Sequence, residues 1–258
     1  MEAGERSQIG TVIHWGATGV IALVGFHVQL LLFLASMFDK NKKLPGRFYR
    51  KMGWWAAKLS PMWKFKVVKP IPEYRPKRTV VVGNHQSQAD PFLISGLPWE
   101  MKWLGKRKLF KIPFVGWSMV LAGDIPLNRG NRESAIEAMG IARDYLQRDM
   151  PVMIFPEGTR SRDGNLLPFK TGAFRLAIEN EADVLPVAVA GTRFALPKGS
   201  MHPGKSNAVV TVGSPISTDG MTLDDIDRLI EMTRQQIQDM RQKLIPLSSE
   251  AGSTLLTE

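Results

Sequence analysis

Thr79-Val80-Val81-Val82-Gly83 runs straight into Asn84-His85-Gln86-Ser87-Gln88-Ala89-Asp90-Pro91-Phe92. The first stretch is short, β-branched and apolar on both faces, which reads as a buried strand. The second is polar, and Pro91 favours a helix beginning there. A polar cluster at the C-terminal end of a strand is where open α/β folds build their sites. Similar apolar runs recur at 152–155 (VMIF), 184–190 (VLPVAVA) and 208–213 (AVVTVG). Helical patterns lie between them. Residues 132–148 put Ile136, Met139, Ala142 and Leu146 on one face, and 172–180 form a shorter helix. Thr222 with Asp225 resembles a capping box. It opens a helix with Leu223, Ile226, Ile230, Ile237, Met240 and Leu244 at three-and-four spacing. The alternation predicts an α/β fold with a mixed, partly parallel sheet flanked by helices.

The chain has 258 residues, 44% hydrophobic and 22% charged. These values are ordinary for a globular protein and exclude a disordered, collagen-like or polytopic membrane chain. Cysteine is absent, which excludes a disulfide scaffold, a thiolate nucleophile and a Cys-based zinc site. Histidine occurs only at His14, His27, His85 and His202, so a His-rich metal site is not expected.

The net charge of +10 is concentrated in one place. Between Asp39 and Arg78 lie 13 lysines or arginines against Asp39 and Glu73 alone. A basic belt meets nucleic acid, anionic lipid or solvent, and the preceding segment decides among them. Residues 8–38 carry no formal charge, and 20–38 read VIALVGFHVQLLLFLASMF. As a helix, those 19 residues span about 28 Å, close to the hydrocarbon thickness of a bilayer. A signal peptide is disfavoured, because the leader MEAGER lacks a basic n-region. Pro45-Gly46 is expected to break this first helix. Met52, Trp54, Trp55, Leu59 and Trp63 are expected to be interfacial anchors on a second, amphipathic helix. The belt then faces anionic lipid, nucleic acid is not expected, and the basic residues mark the cytoplasmic side. The expected organisation is membrane-anchoring helices and basic belt over 1–69, an α/β domain over 70–246 and a frayed tail over 247–258.

His85 and Asp90 are five residues apart. On a continuous helix they would not face each other, but a turn at His85 before a helix start brings them together. The carboxylate would then orient the imidazole, whose other nitrogen acts as a general base. Spacing alone leaves open that Asp90 is only a helix cap. No protein nucleophile stands out, since Ser87 lacks a G-x-S-x-G elbow. A substrate hydroxyl would then be the nucleophile. A second cluster, Phe155-Pro156-Glu157-Gly158-Thr159-Arg160-Ser161-Arg162-Asp163-Gly164, offers hydroxyls, a permissive glycine and the planar fork of Arg160, suited to phosphate. Arg129, in Asp124-Ile125-Pro126-Leu127-Asn128-Arg129-Gly130, is a candidate second phosphate ligand.

The blocks NHQSQAD, DIPLNRG, FPEGTRSRDG and VLPVAVAGT, in this order, resemble the four motif blocks of the glycerolipid acyltransferase family. Within it the chain is most similar to the 1-acyl-glycerol-3-phosphate acyltransferases, or lysophosphatidic acid acyltransferases. The resemblance covers roughly residues 79–192. It implies that His85 is the catalytic base on the sn-2 hydroxyl and Asp90 its orienting carboxylate. It implies that Arg129, Glu157, Gly158, Thr159 and Arg160 hold the glycerol phosphate, and that Pro186 shapes the pocket. Lys106, in GKRKLF, matches a lysine often found before the second block, where it binds phosphate or stabilises the oxyanion. The donor implied is acyl-CoA or acyl-carrier protein, the acceptor lysophosphatidic acid and the product phosphatidic acid, with no metal and no cofactor. Two alternatives stay open: an acyltransferase acting on another lysolipid, and a non-catalytic lipid-binding membrane protein.

Overall fold

A computed structural model describes residues 7–71 and 73–250. The strand quoted first, β2 (Thr79–Gly83), lies in the middle of a seven-stranded sheet. The other strands are β1 (Trp63–Val67), β3 (Lys102–Lys106), β4 (Ile125–Leu127), β5 (Val152–Ile154), β6 (Asp183–Ala190) and β7 (Ser206–Val212). Their order is β1-β7-β6-β2-β5-β3-β4. Only the β6–β7 pair is antiparallel, so the sheet is mixed and largely parallel.

Alternation along the strands fills two cores. Val80, Val82, Val152, Ile154, Val184 and Ala188 face one side, beneath α5 (Arg132–Leu146), α6 (Gly172–Glu179) and α8 (Ile226–Leu244). Val81, Met153, Leu185, Val187 and Val189 face the other. That side is covered by α2 (Lys43–Leu59), α3 (Asp90–Ile94) and the short α7 (Thr192–Ala195). Burial on both faces explains why these strands are continuous apolar runs. The parallel strands β2 to β6 all run the same way, so the loops that follow them gather at one edge.

Both ends of the chain depart from expectation. The first helix, α1 (Gln8–Ala35), ends with Ser36 at its C-cap, well before Pro45-Gly46. That pair instead sits in the first turn of α2, where proline is tolerated because its missing N–H needs no partner. Met52 and Trp63 are not interfacial anchors. Met52 is buried against Gly25 of α1, and Trp63 is buried in β1, stacked on Phe65 at 4.9 Å. Arg50 does not belong to an exposed belt: it is buried and paired with Asp124. Of the expected tail, Leu247 is exposed, but residues 248–250 are packed rather than frayed, because Glu250 accepts the Gly191 N–H at 2.7 Å and Arg241 Nη2 at 3.1 Å. Residues 251–258 of the expected tail lie outside the described residues. Strand β1 falls within the segment assigned to the anchor, yet pairs with β7. Its Lys64 and Lys66 point outward from an edge strand, a position that discourages edge-to-edge pairing.

Helix α1 is long and apolar enough to cross a membrane by length and composition. Nevertheless it lies against the domain at both ends. Gly10 meets Met62, and Trp15 Nε1 donates to Met201 O at 2.8 Å. Further along, Gln29 Nε2 donates to the carbonyls of Pro45 and Ser118, at 3.1 and 3.0 Å. The second carbonyl belongs to α4 (Val115–Ala122). Two polar residues inside the apolar run have partners: Gln29 faces the protein, and His27 Nδ1 is 2.8 Å from the Leu23 carbonyl. The opposite face leaves Val12, Val20, Val24, Leu31 and Leu34 exposed.

Candidate active site

The loop after β2 folds around one carboxylate. Asp90 Oδ2 lies 2.7 Å from His85 Nδ1 and accepts the backbone N–H groups of Gln86 and Ser87, at 2.8 and 2.9 Å. The chain is non-helical from Asn84 to Ser87, and Asp90 opens α3 with Pro91 in its first turn. That combination closes the five-residue gap. Asn84 anchors the turn by exchanging hydrogen bonds with Val189 of β6: its Nδ2 donates at 3.0 Å and its Oδ1 accepts at 2.8 Å. Asp90 is fully buried and His85 is 7% exposed. With Nδ1 turned to Asp90, Nε2 is the ring nitrogen left to take a proton.

The loop after β5 clasps His85 from both sides of its peptide. Glu157 Oε1 accepts the His85 N–H at 2.7 Å, and the Ser161 N–H donates to the His85 carbonyl at 2.8 Å. Phe155 stacks on the imidazole with ring centroids 4.1 Å apart. The second oxygen of Glu157 accepts the Leu167 N–H at 3.2 Å. Both oxygens are therefore occupied by backbone donors, so Glu157 braces the His85 peptide and is not free to hold the glycerol phosphate as the resemblance implied. Burial pushes its pKa up to about 7, against the pull of those two N–H groups.

Arg160 is half-buried, and its Nη1 is buried without an acceptor. Burial lowers its pKa, while the Asp90 charge acts the other way. Arg129, in the loop after β4, is open to solvent at its own surface. Surrounding atoms still desolvate it enough to lower its pKa, and the Arg160 charge lowers it further. The two guanidinium groups thus share a neighbourhood, which an anion would relieve. Lys106 ends β3, in register with Leu127 of β4, and is exposed at the same sheet edge. Gly158 adopts φ +67°, the left-handed region natural to glycine, and a Cβ there would come within 3.0 Å of the Lys170 side chain. Thr159 is exposed and accepts Lys198 Nζ at 3.2 Å; the same ammonium donates to Arg160 O at 3.0 Å. Pro186 is buried in β6 opposite Val82. Among the described residues no group of three or more His, Asp or Glu is placed to hold a metal ion.

Sequence reasoning missed three contributors: Phe155, Lys198 and Thr192, whose hydroxyl donates to Asp90 Oδ1. The last two come from the segment after β6, far away in sequence. Phe155 and Thr192 had a signal, as the first residue of the third block and the last of the fourth.

A family model described as Acyltransferase matches residues 66–190. A 1-acyl-sn-glycerol-3-phosphate acyltransferase of Haemophilus influenzae is 34% identical over 177 residues, covering 67% of this chain and 72% of that protein. The chain belongs to the 1-acyl-sn-glycerol-3-phosphate acyltransferase family. Another member, from Chlamydomonas reinhardtii, is 33% identical over 227 residues, covering 82% of this chain and 65% of that protein. Coverage of the Limnanthes douglasii enzyme is 64% of its length, so the chain spans slightly less than two thirds of these algal and plant members. The crystal structure of the 1-acyl-sn-glycerophosphate (LPA) acyltransferase PlsC from Thermotoga maritima superposes with a TM-score of 0.74 at 26% identity. It covers 90% of this chain and 95% of that one. The mixed α/β fold and the N-terminal helices are thus those of a solved family member.

Proposed function

We propose that the chain transfers a fatty acyl group from a thioester, acyl-CoA or acyl-carrier protein, to the sn-2 hydroxyl of lysophosphatidic acid. The observation that carries this reading is the His85–Asp90 contact of 2.7 Å beside the unpartnered Arg160 Nη1. His85 Nε2 removes the hydroxyl proton as the oxygen attacks the thioester carbonyl. The C–S bond then breaks, and the departing sulfur takes the proton back from the imidazolium. Asp90 fixes the tautomer and stabilises the imidazolium. Arg160, Arg129 and Lys106 hold the phosphate, with Gly158 and Thr159 allowing close approach, while Pro186 shapes the pocket wall. Holding both substrates supplies up to about 7–11 kcal/mol of the barrier.

In this reading 1–69 contain the membrane element and 70–246 most of the catalytic domain. Helix α1 lies along the domain with its apolar face in the lipid. Exposed Lys43, Arg47, Lys51, Trp55, Lys58 and Leu59 on α2 face the headgroups. The cationic face favours the cytoplasmic leaflet. The test is phosphatidate formation by vesicle-bound protein given lysophosphatidate with each donor in turn. His85→Ala should abolish it; undiminished product would overturn the assignment. Preference for an uncharged acceptor over lysophosphatidate would overturn the phosphate clamp.

A further inference from the structure

Asp90 has a second oxygen, and its partner comes from the other end of the domain. Strand β6 ends at Ala190, and Gly191 follows with φ +90°. A Cβ at this glycine would come within 2.2 Å of the Asn207 carbonyl oxygen. Its N–H donates to Glu250 Oε1 at 2.7 Å, and its carbonyl accepts Ser206 Oγ at 2.8 Å. This pinned left-handed turn starts α7 directly behind the catalytic loop. Thr192, the first residue of α7, is fully buried.

The Thr192 hydroxyl has two acceptors within reach, Asp90 Oδ1 and Gln86 Oε1, the latter at 3.3 Å. Asp90 Oδ1 is much the nearer, so the single hydroxyl proton goes to the carboxylate. Asp90 therefore receives His85 Nδ1 and two backbone N–H groups on Oδ2, and Thr192 on Oδ1. The three donors on Oδ2 fix one oxygen but leave the carboxylate able to rock about it. A donor on Oδ1 removes that freedom. Four residues later, Ser87 Oγ donates to the Leu196 carbonyl at 2.7 Å, so the same segment also pins the loop between His85 and Asp90.

We infer that Thr192 is a positioning residue for the acyl transfer, holding the Asp90 carboxylate in the plane that steers His85. This rests on the His85–Asp90 reading proposed above. Thr192 is fully buried and bonds Asp90 rather than His85, so its loss should lower kcat and leave substrate affinity alone. Charge-assisted hydrogen bonds to buried carboxylates are worth enough to change turnover about 10- to 100-fold.

The experiment measures kcat and KM for lysophosphatidate with vesicle-bound protein in four forms: wild type, Thr192→Val, Thr192→Ser and His85→Ala. Valine matches threonine in shape and removes the hydroxyl; serine keeps the hydroxyl. The expected result is a kcat about 10- to 100-fold lower for Thr192→Val, with KM within about twofold, and recovery to within about threefold of wild type for Thr192→Ser. Equal turnover in the valine and serine variants, or a loss carried by KM, overturns the inference. Should Thr192→Val fail to fold, as judged by its melting temperature, Thr192→Ala against Thr192→Ser decides on the same criterion. An inactive His85→Ala beside a fully active Thr192→Val sinks the role of Thr192 only. An active His85→Ala sinks the base reading itself.

Discussion

Glu157→Gln perturbs the site through a side chain whose two oxygens accept the His85 and Leu167 N–H groups. Glu157 is 4% exposed, and burial raises its pKa from 4.5 to about 7, although the His85 and Leu167 N–H groups favour the ionised form. An acid whose pKa is higher in the folded state binds its proton more tightly there. Its stabilisation is complete below the unfolded pKa and is lost as pH rises through the folded one. Between pH 5 and pH 8 the wild-type protein should therefore lose about 2–3 kcal/mol from this group. Glutamine keeps the shape and cannot ionise. One of its two terminal atoms becomes an NH2 facing a backbone N–H, which costs about 1–3 kcal/mol at every pH. Subtracting the two melting curves cancels all other titrating groups. The variant should be the less stable protein at pH 5, and the gap should close or reverse by pH 8. For a chain of this size the difference in Tm should move by about 5–10 °C in favour of glutamine. Scanning fluorimetry of both proteins in the same detergent, at half-unit pH steps, reads this directly. A Tm difference that stays constant across the range would refute the argument, because Glu157 would then not change charge there.

Three further outcomes follow from the geometry. Asp90→Asn keeps the size of the side chain but removes the charge opposite the imidazolium, so turnover should fall about 10²–10⁴-fold; the check is single-turnover phosphatidate formation. Arg160→Lys keeps the charge and loses the planar fork, so KM for lysophosphatidate should rise about tenfold with kcat within a few-fold; an unchanged KM would place the phosphate elsewhere. Lys51→Gln removes one exposed cation from α2, worth about 1 kcal/mol near an anionic surface. Vesicle sedimentation should show about fivefold weaker binding to phosphatidylserine-containing vesicles and no change with neutral ones.

What could be read from the sequence depended on whether its pattern was local. The strands β2, β5, β6 and β7 are continuous apolar runs bounded by polar loops, so composition alone reveals them. Strand β1 alternates aromatic and lysine residues, a pattern shared with an interfacial helix, and only pairing with β7 separates the two readings. Strand β3 hides behind Lys102, which is fully buried; its ammonium donates to Glu100 Oε1 at 2.9 Å and to the Ala122 carbonyl at 2.7 Å. Strand β4 has three residues and contains Pro126. In the site, the His85–Asp90 pair was legible because both belong to one turn, with Pro91 marking the helix start. The tasks of Glu157 and Thr192 were not legible. Each depends on a partner 72 or 102 residues away, and on loops whose approach only the sheet order dictates.

The same dependence explains why so many charges are buried between the N-terminal helices and the sheet. Arg50 of α2 pairs with Asp124, just before β4, and lies 3.9 Å from Glu100, which also receives Lys102 of β3. Asp124 accepts the Trp103 N–H at 3.1 Å, and the Arg50 guanidinium lies 5.2 Å from the Trp103 ring. Such a cluster is a poor source of net stability, since desolvation offsets most of the attraction. Apolar residues of equal volume would hold α2 to the sheet as firmly. What charges add is directionality: a hydrophobic contact tolerates sliding, whereas an ion pair with fixed hydrogen bonds does not. Removing one partner leaves an uncompensated charge and costs about 3–5 kcal/mol. The strands fixed in this way, β3 and β4, are those that end at Lys106 and lead into Arg129. The outer face of α2 carries the cations and Trp55 that would rest on lipid headgroups. The cluster therefore fixes the outer face of α2 relative to the strands that carry Lys106 and lead into Arg129. In the proposed reading, where a phosphate-bearing lipid is taken from a membrane surface, a fixed spacing between α2 and those strands matters more than extra stability.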